Sequence, residues 1–289
     1  MKIIKRIISL VLLFLFTIFS VAFLNVKEVS ASKQNNYNSR TQEIRAVWVS
    51  HFAGDLSAYT NESSYKNQIT TILNNMESWG MNTLVFHVRT HNNALYKSTL
   101  NPKSRYYNNV NFDEFDPLEW IIDECHKRGI EFHAWLNPYR VSTSGNNPDY
   151  TYETLPLSNP ARQSENLITV GDNIILDPGR PAVREFIVAT CMELIENYDV
   201  DAINFDDYFY ISGADDSATR AIYNTSNLSV DNFRRQQVDL LIEALHNSIS
   251  EYNKENNKAV EIGIAPSGVY RNGSYSSGTT PTYNANGDL

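Results

Sequence analysis

Two apolar spacings alternate along most of this chain. Short runs with alternating or continuous apolar residues read as strands: Arg45–Ser50 (RAVWVS), Asn82–Val88 (NTLVFHV), Glu131–Asn137 (EFHAWLN), Asp201–Asp207 (DAINFDD) and Glu261–Pro266 (EIGIAP). Between them lie stretches with helical spacing. Ser63–Trp79 carries Ile69, Ile72, Leu73 and Met76 on one side, with Ser63 or Ser64 placed to cap it and Gly80 to end it. Pro117–Arg128 follows the capping residue Asp116 and stops at Gly129; Pro181–Tyr198 opens on a first-turn proline; Val230–Tyr252 is long and amphipathic. Strand, helix, strand in repetition predicts a parallel sheet covered by helices. The connections after the strands (89–115, 138–180, 208–229) are long and those after the helices short. That asymmetry marks a barrel whose carboxyl face carries the function. The expected fold is therefore α/β, of the (β/α)8 TIM-barrel type. A closed barrel needs eight strands, and the pattern gives five before the sequence ends in a Gly/Ser/Thr/Asn-rich stretch. The expectation is a barrel truncated after about five strands, with about three units missing; the alternative is an open five-stranded sheet.

The first 31 residues differ from the rest. Lys2, Lys5 and Arg6 precede an apolar run from Ile7 to Leu24, and Val29-Ser30-Ala31 is a small-residue cleavage pattern. This is the layout of a secretory signal peptide cleaved near Ala31, the alternative being an uncleaved membrane anchor. Residues 32–42 are polar and read as a linker, so the domain is 43–289. Export makes the protein secreted or held at the cell surface, with no stable membrane insertion once the signal is removed.

The net charge is −9. The leader carries four bases (Lys2, Lys5, Arg6, Lys27) against one acid, Glu28, so the remainder holds −12. An acidic body argues against nucleic acid and anionic lipid and suits a neutral substrate. The two cysteines, Cys125 and Cys191, fall among apolar helical residues and read as buried thiols; a disulfide between neighbouring helices is the alternative.

Candidate chemistry gathers at the strand ends. The fourth strand ends in Asp206 and Asp207, followed by Tyr208. Alternation puts Asn204 and Asp206 on one face and Phe205 and Asp207 on the other. Asp206 is the preferred catalytic carboxylate, with Asn204 behind it as hydrogen-bonding support. Asp207 is the second candidate, or else a turn cap. The second strand places His87 and Arg89 on a common face, where Arg89 can hold a substrate oxygen or form a structural ion pair. The third places His133, Trp135 and Asn137 together, then Tyr139 and Arg140. Trp135 and Tyr139 can stack on a sugar ring, Trp135 otherwise serving as packing, and Asn137 and Arg140 can bind hydroxyls. Asp177, before the third helix, either lines the cleft or orders a turn. Histidines at 51, 87 and 133 raise a metal reading but lack the spacing of a zinc motif. With no phosphate loop, nucleophile elbow or dinucleotide fingerprint, no metal and no cofactor is assigned.

Six ordered blocks, RAVWV, VFHVRTHNNALYKS, DPLEWIIDECHKRGIEFHAWLNPYRV, LDPGRPAVREF, YDVDAINFDDYFY and IGIAPSGVYRN, resemble the glycosyl-hydrolase-like 10 family of bacterial cell-surface proteins over about residues 43–272. The resemblance implies a (β/α)8 barrel and a glycoside hydrolase acting on extracellular polysaccharide, with peptidoglycan glycan strands as substrate class. Arg89, Asn137, Tyr139, Arg140, Asp206, Asp207 and Tyr208 fall on its motif positions. The chain departs from the family in Asn92-Asn93, where a Gly-Asp pair is usual, and in Ser267, where Phe is common. Glycoside hydrolysis uses two carboxylates, and Asp206 is expected to be one of them, as nucleophile or general base. A carbohydrate-binding protein without turnover, stacking sugars on Trp135, Tyr139 and Tyr208, is the alternative. A metal-dependent hydrolase or deacetylase built on the histidines ranks third.

Overall fold

The computed structural model describes residues 43–143, 151–206 and 209–266. Five parallel strands form its main sheet: β1 (Ala46–Val49), β2 (Thr83–Arg89), β3 (Glu131–Leu136), β7 (Ala202–Phe205) and β8 (Glu261–Ile264), adjacent in that order. Between β3 and β7 the chain makes an excursion through β4 (Arg140–Ser142), β5 (Leu167–Val170) and β6 (Asn173–Leu176), which pair as a small antiparallel sheet. The helices are α1 (Glu62–Ser78), α2 (Pro117–Lys127), α3 (Pro181–Asn197), α4 (Ser217–Tyr223) and α5 (Val230–Asn256). The parallel strands are added in sequence order without reversal. A doubly wound sheet reverses at a switch point. An unreversed order with a helix after each of the first four parallel strands is the progression of a (β/α) barrel.

Register fixes the two faces of the sheet. Trp48 pairs with Val85, Val85 with His133, His87 with Trp135, Trp135 with Asn204, and Asn204 with Gly263, so these residues share one face. Leu84, Phe86, Phe132, Ala134, Leu136, Ile203 and Phe205 lie on the other, buried at 1% exposure or less. That apolar face packs against the helices: Leu73 and Met76 of α1, Ile121 and Ile122 of α2, and Val183, Ile187 and Leu194 of α3 join it in one core. Burying each such side chain contributes about 1.5–3 kcal/mol. The inner face is therefore left to aromatic and polar groups.

Local chemistry sets the ends of the helices. Asp116 caps α2 by accepting from the backbone N–H groups of Leu118 and Glu119, as its position predicts. The cap of α1 is Asn61, whose side chain accepts from Ser64 N–H at 2.9 Å, rather than Ser63 or Ser64. Gly129 ends α2 at φ +68°. Cys125 and Cys191 are buried free thiols, not a disulfide. The predicted leader and linker lie outside the described residues.

Candidate active site

The site is built where β2, β3 and β7 end. Asp206 follows the last residue of β7 and is half-buried. Its carboxylate accepts a hydrogen bond from the indole N–H of Trp135 at 3.1 Å and from Nδ2 of Asn137 at 2.9 and 3.2 Å. Both donors stand on β3 or its end, so the neighbouring strand fixes the orientation of the acid. Asp206 thus opens on the inner face, the side that alternation along β7 predicts.

Several residues expected at the substrate are buried and bonded to neighbouring groups. Asn137 is wholly buried, and its Oδ1 accepts from Arg140 N–H at 2.8 Å while its amide holds Asp206. Arg89 is 1% exposed. It donates to the carbonyls of Asn137 (2.5 Å) and Pro138 (3.1 Å) and to the side-chain oxygens of Asn92 and Asn101. The cause is a register shift in β2: His87 pairs with Trp135, but Arg89 pairs with Leu136. The irregularity between them turns Arg89 away from the face of His87, against simple alternation. Tyr139 is also fully buried, its ring edge-on to Phe209, and offers no face for stacking. Arg140 is 8% exposed, with its guanidinium over the ring of Phe52.

Asn204 does not support Asp206. Its amide bonds Nδ1 of His133 at 3.0 Å, one layer deeper in the sheet. A Cβ on Gly263 would come within 1.8 Å of Asn204 Oδ1, so the absence of a side chain on β8 leaves room for this pair. His133 is in turn 3.4 Å from Glu131 Oε2. His87 is fully buried behind Trp135, their rings stacked at 3.7 Å and 6°. Burial, then the nearby Arg140 and His91, holds the His87 imidazole well below its usual range, so it is neutral. Burial likewise pushes His51 down to about 4 and His91 to about 3. Among the described residues no three His, Cys, Asp or Glu side chains are grouped to hold a metal. Asp207 and Tyr208 lie outside the described residues.

Asp177 orders a turn rather than lining the cleft. It is 2% exposed, accepts from Gly179 N–H and from Thr219 Oγ1, and so ties α4 to the start of α3. Burial raises its pKa against these bonds.

Trp48 adjoins the candidate site, and sequence reading did not select it. It is 39% exposed on the inner face and edge-on to Trp135 at 4.9 Å. Its place one residue before the end of β1, on the face of Val85, was available in the alternation of RAVWVS.

The order of blocks around these strand ends carries over to whole-chain comparison. A family model, glycosyl hydrolase-like 10, matches residues 43–285. The chain belongs to the glycosyl hydrolase-like 10 family. Glycosyl hydrolase YngK of Bacillus subtilis (strain 168) is 33% identical over 243 residues, covering 80% of this chain and 46% of that protein. Glycosyl hydrolase DigH of Escherichia coli (strain K12) is 34% identical over 256 residues, 81% of this chain and 57% of that one. The chain spans about half the length of these curated relatives. Among solved structures, the α-galactosidase from Lactobacillus brevis aligns with a TM-score of 0.45 at 17% identity, over 78% of this chain and 27% of its own. The family also frames the Asn92-Asn93 departure. Asn92 sits at φ +48°, in the left-handed region where glycine is usual, and asparagine is the side chain that tolerates it best. Asn93 Oδ1 takes the acceptor role of an Asp, receiving Thr90 N–H, Thr90 Oγ1 and His91 N–H.

Proposed function

We propose that this protein is a glycoside hydrolase of extracellular polysaccharide, with peptidoglycan glycan strands as its substrate class and Asp206 as one catalytic carboxylate. The observation that carries the reading is the carboxylate at the end of β7, oriented by Trp135 and Asn137 beside half-exposed indole rings. Of the five parallel strands, the others end in Val49, Arg89, Leu136 and Ile264, so β7 alone leads directly into a carboxylate. A held carboxylate can attack the anomeric carbon as nucleophile or take a proton from water as general base. Trp135 supplies an apolar face for a sugar ring, and membership of a glycosyl hydrolase-like family supports the reaction class. The signal-like pattern of residues 1–31 supports a location outside the cytoplasm, and the acidic body suits an uncharged glycan.

The test uses the protein from its full reading frame, incubated with purified glycan strands. New reducing ends with the wild type, lost in Asp206→Asn, are the expected result. Cleavage undiminished in Asp206→Asn removes that residue from the mechanism. Binding of glycan without new reducing ends supports a carbohydrate-binding module instead.

A further inference from the structure

Four consecutive parallel strands each contribute one link to a chain of contacts that ends on Asp206. It begins just after β1. Ser50 N–H donates to Asp55 Oδ2 at 2.9 Å, and Asp55 N–H donates to the Ser50 carbonyl at 3.1 Å, which pins Ser50 in its turn. Ser50 Oγ lies 2.8 Å from Nδ1 of His87 in β2. The same oxygen accepts from the backbone N–H groups of Phe52 (3.1 Å) and Ala53 (3.4 Å). With both lone pairs engaged, the hydroxyl hydrogen is the group left for His87, so Nδ1 accepts and the ring proton sits on Nε2. His87 then lies flat on Trp135 of β3, with 3.7 Å between centroids and 6° between planes. Trp135 donates its indole N–H to Asp206 at the end of β7.

His87 has no other evident employment. It is fully buried, and apart from Ser50 its ring has only the Arg89 backbone as a hydrogen-bonding neighbour, with no well-formed bond to Nε2 among the described residues. A buried unmatched N–H costs about 1–3 kcal/mol. An apolar residue there would avoid that cost, but it would lack one of two features. Leucine has no flat face to lie against an indole, and phenylalanine has no polar edge to fix on Ser50. Histidine combines both in one ring. The indole needs this support because its other edge neighbour, Trp48, is itself 39% exposed and meets Trp135 at 77° rather than face to face.

We propose that His87 is a positioning residue: anchored by Ser50, it sets the plane of Trp135 and thereby aims the indole N–H at Asp206. The inference rests on the reading of Asp206 as a catalytic carboxylate, but its structural half is measurable without turnover. It differs from a direct substrate contact, since the ring is closed off behind Trp135, and from a metal ligand, since one nitrogen is held by Ser50 and the other carries the proton.

The experiment pairs His87→Leu with His87→Phe in the full chain. Indole 15N–1H spectra of tryptophan-labelled protein give one reporter for each of the four tryptophans. Trp135→Phe assigns the reporter of interest, and Asp206→Asn shows which part of its shift comes from the carboxylate. In His87→Leu the Trp135 signal is expected to lose that carboxylate-dependent displacement. Glycan cleavage should fall by about 10- to 100-fold in kcat, with KM within about twofold, as for a misaimed catalytic group. His87→Phe, which restores the flat face but not the Ser50 anchor, should recover part of both and remain below the wild type. A folded His87→Leu with an unmoved Trp135 signal and unchanged kcat overturns the proposal, as does His87→Phe impaired as deeply as His87→Leu. If His87→Leu fails to fold, His87→Met is read by the same criteria. Should Asp206→Asn itself cleave glycan at the wild-type rate, the hydrolase reading falls while the indole signal still decides the role of His87.

Discussion

Asp201 and Asp206 stand five residues apart at opposite ends of one strand and are held in different ways. At the amino end, Asp201 Oδ2 lies 2.9 Å from His126 Nε2 and accepts Phe132 N–H at 2.8 Å. Its own backbone bonds both neighbouring strands, to the Phe132 carbonyl on one side and Glu261 N–H on the other. It stitches β3, β7 and β8 together. At the carboxyl end, Asp206 is held by side-chain donors that turn it toward the inner face. The two acids are divided by end: Asp201 ties strands together at the amino end, and Asp206 is turned to the inner face at the carboxyl end, where barrels of this type carry their sites.

Exchanging each acid for its amide sharpens the contrast most. Asp206→Asn should lower glycan cleavage at least about a hundredfold with little change in melting temperature. Asp201→Asn should retain cleavage while losing about 1–2 kcal/mol of stability, read by denaturant unfolding. The reverse pattern would break the division between the ends.

The next largest effect concerns the hub behind the site. Arg89→Met removes the guanidinium donor from two buried carbonyls and from the side-chain oxygens of Asn92 and Asn101, of which that of Asn92 keeps the amide of Asn159. It should destabilise the protein by about 3 kcal/mol or more, in contrast to a substrate-binding arginine, whose loss would raise KM alone.

Gly263→Ala probes the deeper layer. The new Cβ would displace Asn204 from His133, so a loss of about 1–3 kcal/mol is expected in the unfolding midpoint.

Acid gives a more graded effect. His51 and His91 are buried neutral, with pKa values of about 4 and about 3 against the ordinary 6.5. Their folded values lie below the unfolded one, so the unfolded chain binds more protons in this window. Stability is full above about pH 6.5 and declines as pH falls toward 4, by on the order of 3 kcal/mol for His51. Melting temperature followed from pH 7 to 4 checks this, and His51→Phe should flatten the slope.

Much of this arrangement was legible in the order of residues. The five parallel strands and four of the helices follow from apolar spacing, because each must bury one face. The acid at 206 follows from alternation along a strand whose partners are regular. Arg89 was misplaced because a register shift beside Val88 leaves no mark in the alternation. Asn137 and Tyr139 look like surface chemistry in sequence, yet both are wholly buried in the fold, a tertiary effect. The hairpin of β5 and β6 did leave a signal: LITV and NIIL flank Gly171-Asp172, a two-residue turn with Gly171 at φ +60°. It was hidden inside a stretch read as one long loop.

The most direct measurement is a crystal structure of Asp206→Asn protein with a bound glycan oligosaccharide. A glycosidic bond is expected about 3–3.5 Å from the side chain at 206, with a sugar ring against Trp135. A glycan bound elsewhere, for example along the outer groove between Lys97, Asp116 and Glu193, with residue 206 out of reach, would contradict it.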